Sequence, residues 1–93
     1  MNVALLKIEF YLSGCRSLKE KRRRLQGIRD KYGRAANVAV CESDHQDTHQ
    51  RAQWCFVATA SSADVVDRTL SDIERSLQLG VDAEMVGAHR QWL

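Results

Sequence analysis

The stretch V3-A-L-L-K-I-E-F-Y-L-S-G-C-R-S-L-K-E-K-R-R-R-L-Q-G-I-R-D-K-Y-G33 changes its apolar period once, and that change decides the fold. From Val3 to Leu12 the alternation is by twos. Ala4, Leu6, Ile8, Phe10 and Leu12 point one way, and Val3, Leu5, Lys7, Glu9 and Tyr11 the other, which is the pattern of a strand with one buried face. Ser13-Gly14-Cys15-Arg16 breaks the run. Ser17-Leu18-Lys19-Glu20 then reads as a capping box, in which hydroxyl and carboxylate satisfy the first free amides of a helix. Leu18, Leu25, Ile28 and Tyr32 recur at helical spacing, so one stripe of a helix is expected to end near Gly33, with the cations on its remaining faces.

Working outward, Asn37–Ser43 predicts a second strand with Val38 and Val40 inward, and the polar segment Asp44–Gln50 a connection. Ala52–Ala60 predicts a third strand, with Trp54, Phe56 and Ala58 on one face and Gln53, Cys55, Val57 and Thr59 on the other. Ser61 or Ser62 is expected to cap a second helix striped by Val65 or Val66, Leu70, Ile73 and Leu77. Gly80 is expected to end it in a left-handed conformation. Val81–His89 is expected to be the fourth strand. The order β-α-β-β-α-β predicts an α+β, ferredoxin-like sandwich, a four-stranded antiparallel sheet with both helices on one face, as one domain over residues 1–93. The other sheet face would show Leu5, Lys7, Glu9, Tyr11, Gln53, Cys55 and Val57. That surface is apolar enough to lead us to expect a homodimer through it or through an edge strand.

An apolar fraction of 44% with 28% charged residues belongs to a globular protein and argues against disorder. No apolar run approaches the roughly 20 residues of a membrane helix. Lys7 and Glu9 interrupt the one N-terminal stretch that resembles a signal sequence, so a cytoplasmic protein is expected. Cys15, Cys41 and Cys55 form no C-x-x-C pair and are expected to be reduced thiols. Cys41 and Cys55 are read as small core or sheet residues, and Cys15, beside Arg16, as packed rather than functional.

Nine of the fourteen basic residues lie between Arg16 and Arg34, opposed there only by Glu20 and Asp30, while the rest of the chain is net acidic. A field of that shape steers polyanions to one side of a small protein. Arg16, Lys19, Lys21, Arg22, Arg23, Arg24, Arg29 and Lys31 are the candidate nucleic-acid-binding residues, on a helix suited to shape-based contact with folded RNA. The competing account pairs these cations with Asp64, Asp67, Asp72 and Glu74 of the second helix. RNA reading by the open sheet face is disfavoured, because only Tyr11 is placed for stacking while Phe10, Trp54 and Phe56 pattern inward.

Three segments, R16-S-L-K-E-K-R22, V38-x-V-x-E42, and H45-Q-D47 followed by Q50-R-A52, resemble the small bacterial YlxP-like proteins, a family of unknown function, over the whole chain. His49, where an aromatic is common, and Trp54, where an aliphatic residue is usual, depart from the family pattern. The resemblance implies a ferredoxin-like fold and, from genes often neighbouring those of translation initiation factor 2 and ribosome-binding factor A, an RNA or a ribosomal subunit as partner. It supplies no catalytic residue. It marks Glu42, His45, Gln46, Asp47, Gln50 and Arg51 as a second distinctive region of unassigned role. Glu42, Asp44, His45, Asp47 and His49 match no strong metal-ligand spacing, so no metal and no cofactor are expected. Asp44 or Asp47 is expected to cap turn amides, Arg51 to pair with an acid, and Asp47 to be buried or to hold the hairpin to the first helix. Acylphosphatases share the expected architecture and bind phosphate before their first helix, where this chain has Gly14-Cys15-Arg16-Ser17. The loop is shorter, however, and no Asn stands within the second or third strand to place a water, since Asn37 comes too early. With no nucleophile–base pair and no small-molecule substrate indicated, a non-catalytic binding module is expected. The alternative is a protein–protein adaptor whose cationic ridge meets an acidic partner.

Overall fold

Strict alternation makes β1 (Asn2–Tyr11) a central strand, because both of its edges can pair while one face is buried. The structure is a computed structural model and describes residues 1–93. After β1 come α1 (Leu18–Arg24), α2 (Ile28–Gly33), β2 (Val38–Asp44), β3 (Arg51–Ala60), α3 (Ala63–Gly80) and β4 (Glu84–Trp92). The sheet order is β2-β3-β1-β4 with every pairing antiparallel. This is the ferredoxin-like α+β arrangement that the sequence predicts. β1 and β3 pair without a slip from Asn2↔Ala60 to Tyr11↔Arg51, which puts Leu6 beside Phe56 and Ile8 beside Trp54 on the buried face.

One core joins that face to the helices. Ala4, Leu6, Ile8, Phe10, Phe56 and Ala58 are fully buried. Val66, Leu70, Ile73 and Leu77 cover them from α3, while Leu25, Ile28 and Tyr32 do so from the α1–α2 segment. The Tyr32 ring meets Phe56 edge-on, 5.6 Å between centroids. No helix is long and apolar enough to cross a membrane.

Three expectations are corrected. The first helix is not continuous: Gly27 takes φ of +93° and is the N-terminal cap of α2. The Gln26 and Ile28 amides bond three residues back, to Arg23 and Leu25, instead of four. Second, Gly80 is the last residue of α3 and has no left-handed backbone; the chain leaves the helix at an extended Val81. Third, β4 begins at Glu84 and not at Val81. Val81 and Ala83 pack on the core, but the ladder with β1 starts only at Tyr11↔Glu84 and continues to Ala4↔Trp92. A shift at Glu9/Phe10 leaves the exposed Val86 as an extra residue of β4. Cys41 and Cys55 are sheet residues, the second of the two readings the sequence offered; they face each other across β2 and β3 on the open side of the sheet. Cys15 is packed as expected, 2% exposed, its thiol donating to the Ser17 carbonyl.

Candidate nucleic-acid interface

The capping box opens α1 as the sequence predicts on its hydroxyl side: Ser17 Oγ accepts the Glu20 amide at 3.0 Å. The Glu20 carboxylate instead turns to Arg24 Nη1, at 3.5 Å. Along this short helix the candidate cations divide by the direction they face. Arg16, Lys19, Arg22 and Arg23 are exposed, their side chains making neither an ion pair nor a hydrogen bond within the chain, and beyond α1 the Arg34 side chain is in the same state. Arg29 is exposed and lies over the Trp54 ring, 5.7 Å from its centroid, in a cation–π contact. Lys31 is exposed, donates to Ser76 Oγ at 3.0 Å and sits 5.4 Å from the Tyr32 ring.

Two candidates leave the interface. Lys21 is 3% exposed, and its ammonium donates to the carbonyls of His45 (2.6 Å) and Thr48 (3.0 Å) and pairs with Glu42 Oε2 at 3.0 Å. An ammonium with three oxygen partners and almost no solvent cannot meet a phosphate. Arg24 is held nearly as firmly. It donates to the Ser13 and Asp82 carbonyls at 2.8 and 2.9 Å and lies 3.4 Å from Asp82 Oδ2. It therefore ties the loop before α1 to the loop before β4.

Lys21 also corrects the reading of the β2–β3 loop. Asp47 is exposed and makes no hydrogen bond or ion pair; it is the Lys21 side chain that holds this loop to α1. His45 takes φ of +64°, with Asp44 Oδ1 accepting its amide at 2.7 Å and its carbonyl accepting the Thr48 amide. Gln46 Nε2 donates to the Glu42 carbonyl at 3.1 Å. Gln50 contributes its carbonyl to the Leu12 amide at 2.8 Å. Arg51 lies 3.9 Å from Glu9 Oε2, and His45 Nε2 lies 3.6 Å from the same oxygen. The carboxylates and imidazoles of this loop do not converge as a metal-binding group.

The two distinctive segments of the sequence thus meet. Between the α1–α2 break and the β2–β3 loop lies a groove of about 400 Å³. Leu18, Leu25 and Trp54 give it an apolar lining, and Lys21 with Glu42 closes one wall. No motif announced it. The signal available was the spacing of Lys21, three residues after Leu18 and four before Leu25, which places an ammonium on the buried stripe.

The second helix does not neutralise the ridge. Asp67 and Glu74 of α3 pair with Arg90 of β4 at 2.6 and 3.6 Å, Asp72 pairs with Arg75, and Asp64 has no ion pair.

The model of a protein family described as being of unknown function (DUF503) matches residues 3–90, and the chain belongs to that family. The YlxP-like resemblance read from the sequence is consistent with this membership. No curated protein matches the chain.

Proposed function

We propose that this DUF503-family chain is a non-catalytic RNA-binding module that meets RNA, within or beside a ribosomal subunit, through the ridge formed by α1 and α2. The observation that carries the reading is the unpaired state of Arg16, Lys19, Arg22 and Arg23, with Arg29 and Arg34 extending the same charge. Of the α3 carboxylates that would cancel them, Asp67, Asp72 and Glu74 are engaged by Arg90 and Arg75, and Asp64 pairs with none of the ridge cations. Exposed guanidinium groups without internal partners are poised to release counterions from a polyanion, which is the main source of such affinity. Lys21 and Arg24 support the surface from below and touch no phosphate.

Anisotropy titration of labelled ribosomal RNA fragments across a salt series tests this. Four phosphate contacts give a log–log slope of about −3 to −4, so affinity falls about a hundredfold between 50 and 200 mM salt. The pair Arg22→Glu and Arg23→Glu, which leaves both structural cations in place, is expected to weaken binding more than tenfold while the fold is retained. Salt-insensitive or absent binding overturns the reading. Copurifying material that survives nuclease would instead favour an acidic protein partner on the same ridge.

A further inference from the structure

The groove beside the ridge has the wrong chemistry for a bare phosphate. Arg22 and Arg29 line it, but so do Asp30 and Asp47, and none of these four forms an ion pair with another. Gln46 stands beside Asp47, its amide nitrogen already donating to the Glu42 carbonyl, which leaves its oxygen as an acceptor. At the apolar side Trp54 is 7% exposed, and its indole N–H is buried without an acceptor. Opposite charges that face one cavity without closing on each other suit a neutral ligand with donors on one edge and acceptors on the next.

We infer that this groove receives one unpaired guanine base of the bound RNA. This rests on the proposed RNA interface and deepens it by assigning a base-reading site next to the phosphate-binding ridge. Ionised Asp47 only accepts hydrogen bonds. Guanine is the base whose pairing edge presents two adjacent donors, the ring N1–H and the exocyclic amine, which match the two oxygens of a carboxylate. Its O6 and N7 are acceptors for Arg22, the pairing that guanidinium groups make with this base elsewhere, and for the Trp54 N–H. Arg29 is exposed and held over Trp54 only by a contact worth about 0.5–1 kcal/mol, so the base can displace it from the indole and take its place in the stack. The volume lies at the small end of the roughly 300–1,000 Å³ typical of ligand sites, enough for a nucleoside.

The experiment titrates free nucleosides, which carry no phosphate and so are independent of the ridge, while the indole N–H resonances of Trp54 and Trp92 are followed. Trp54→Phe identifies the Trp54 signal. Guanosine is expected to shift it saturably, with adenosine, cytidine and uridine at least tenfold weaker. Asp47→Asn, at an exposed side chain without contacts, is expected to weaken guanosine at least tenfold. In oligouridylate carrying a single guanosine, the same change should remove the preference for that base and leave the salt slope intact. Guanosine without effect on Trp54 overturns the inference, whatever the RNA titration gives. A guanosine shift together with no salt-dependent RNA binding upholds the groove and overturns the proposed RNA interface.

Discussion

Lys21 is the residue on which the architecture near the ridge turns. Its stem continues the buried stripe of α1, and its ammonium donates to two loop carbonyls while lying 3.0 Å from a Glu42 carboxylate oxygen. Lys21→Met keeps the stem and removes the charge, leaving the His45 and Thr48 carbonyls and Glu42 without their cation. Removing one partner of a buried pair costs about 3–5 kcal/mol. Because the Glu42 side chain keeps about a fifth of its exposure, the lower end of that range applies, about 3 kcal/mol. Glu42→Gln retains both carbonyl contacts and is expected to cost about 1 kcal/mol. Urea unfolding of the two variants checks the order, and equal losses would contradict it. The sequence carried half of this residue's meaning: its helical spacing assigns it to the buried face, but the two backbone carbonyls that complete its site come from a loop twenty-four and more positions away, which no local pattern discloses. Trp54 behaves alike, legible as core from strand alternation, while its unpaired N–H emerges only from packing.

Among the elements, the strands of the first half and both helical stripes were readable because alternation and helical spacing are local. The break between α1 and α2 was not, although Gly27 stands in plain view. Leu18, Leu25, Ile28 and Tyr32 keep helical spacing across it, so periodicity reads one helix. Tertiary packing prefers two segments, with Leu25 and Ile28 both at the core and a groove opened beside Gly27. A side chain added at Gly27 meets nothing within 4 Å, so the cost of Gly27→Ala is purely that of the left-handed backbone, about 1–2 kcal/mol. We expect that loss in thermal or urea unfolding. A neutral or stabilising Gly27→Ala would show that the two helices merge without penalty. The three-residue displacement of β4 has a different origin: Val81 and Ala83 imitate strand alternation while packing from a loop, and only the ladder with β1 distinguishes them.

At the scale of the molecule, the helices occupy one side of the sheet and leave the other uncovered. On that side Leu5 pairs across to Val57, Lys7 to Cys55 and Glu9 to Gln53, with Ala39 and Cys41 of β2 continuing the apolar end. Glu9 is already in use, bonded to Gln53 and approached by His45 and Arg51. Lys7 is half-buried among these residues and has no acidic partner in its own chain. A second copy turned through a two-fold axis on this central strand would bury the open face of both chains at once. Packing of this kind would cover Leu5 and Val57 and leave both cationic ridges facing outward, on opposite sides of the pair. An RNA long enough to touch both would then be held far more tightly than by either alone. We therefore expect sedimentation velocity at tens of micromolar to give twice the 10.6 kDa of the chain. Leu5→Asp, which puts a charge at the centre of the contact, is expected to return the monomer with its circular dichroism spectrum unchanged. Such a variant should also lose the avidity for long RNA while keeping the wild-type affinity for fragments that span one ridge. A wild-type chain that sediments as a monomer throughout this concentration range would rule the pairing out and leave the open sheet to some other partner.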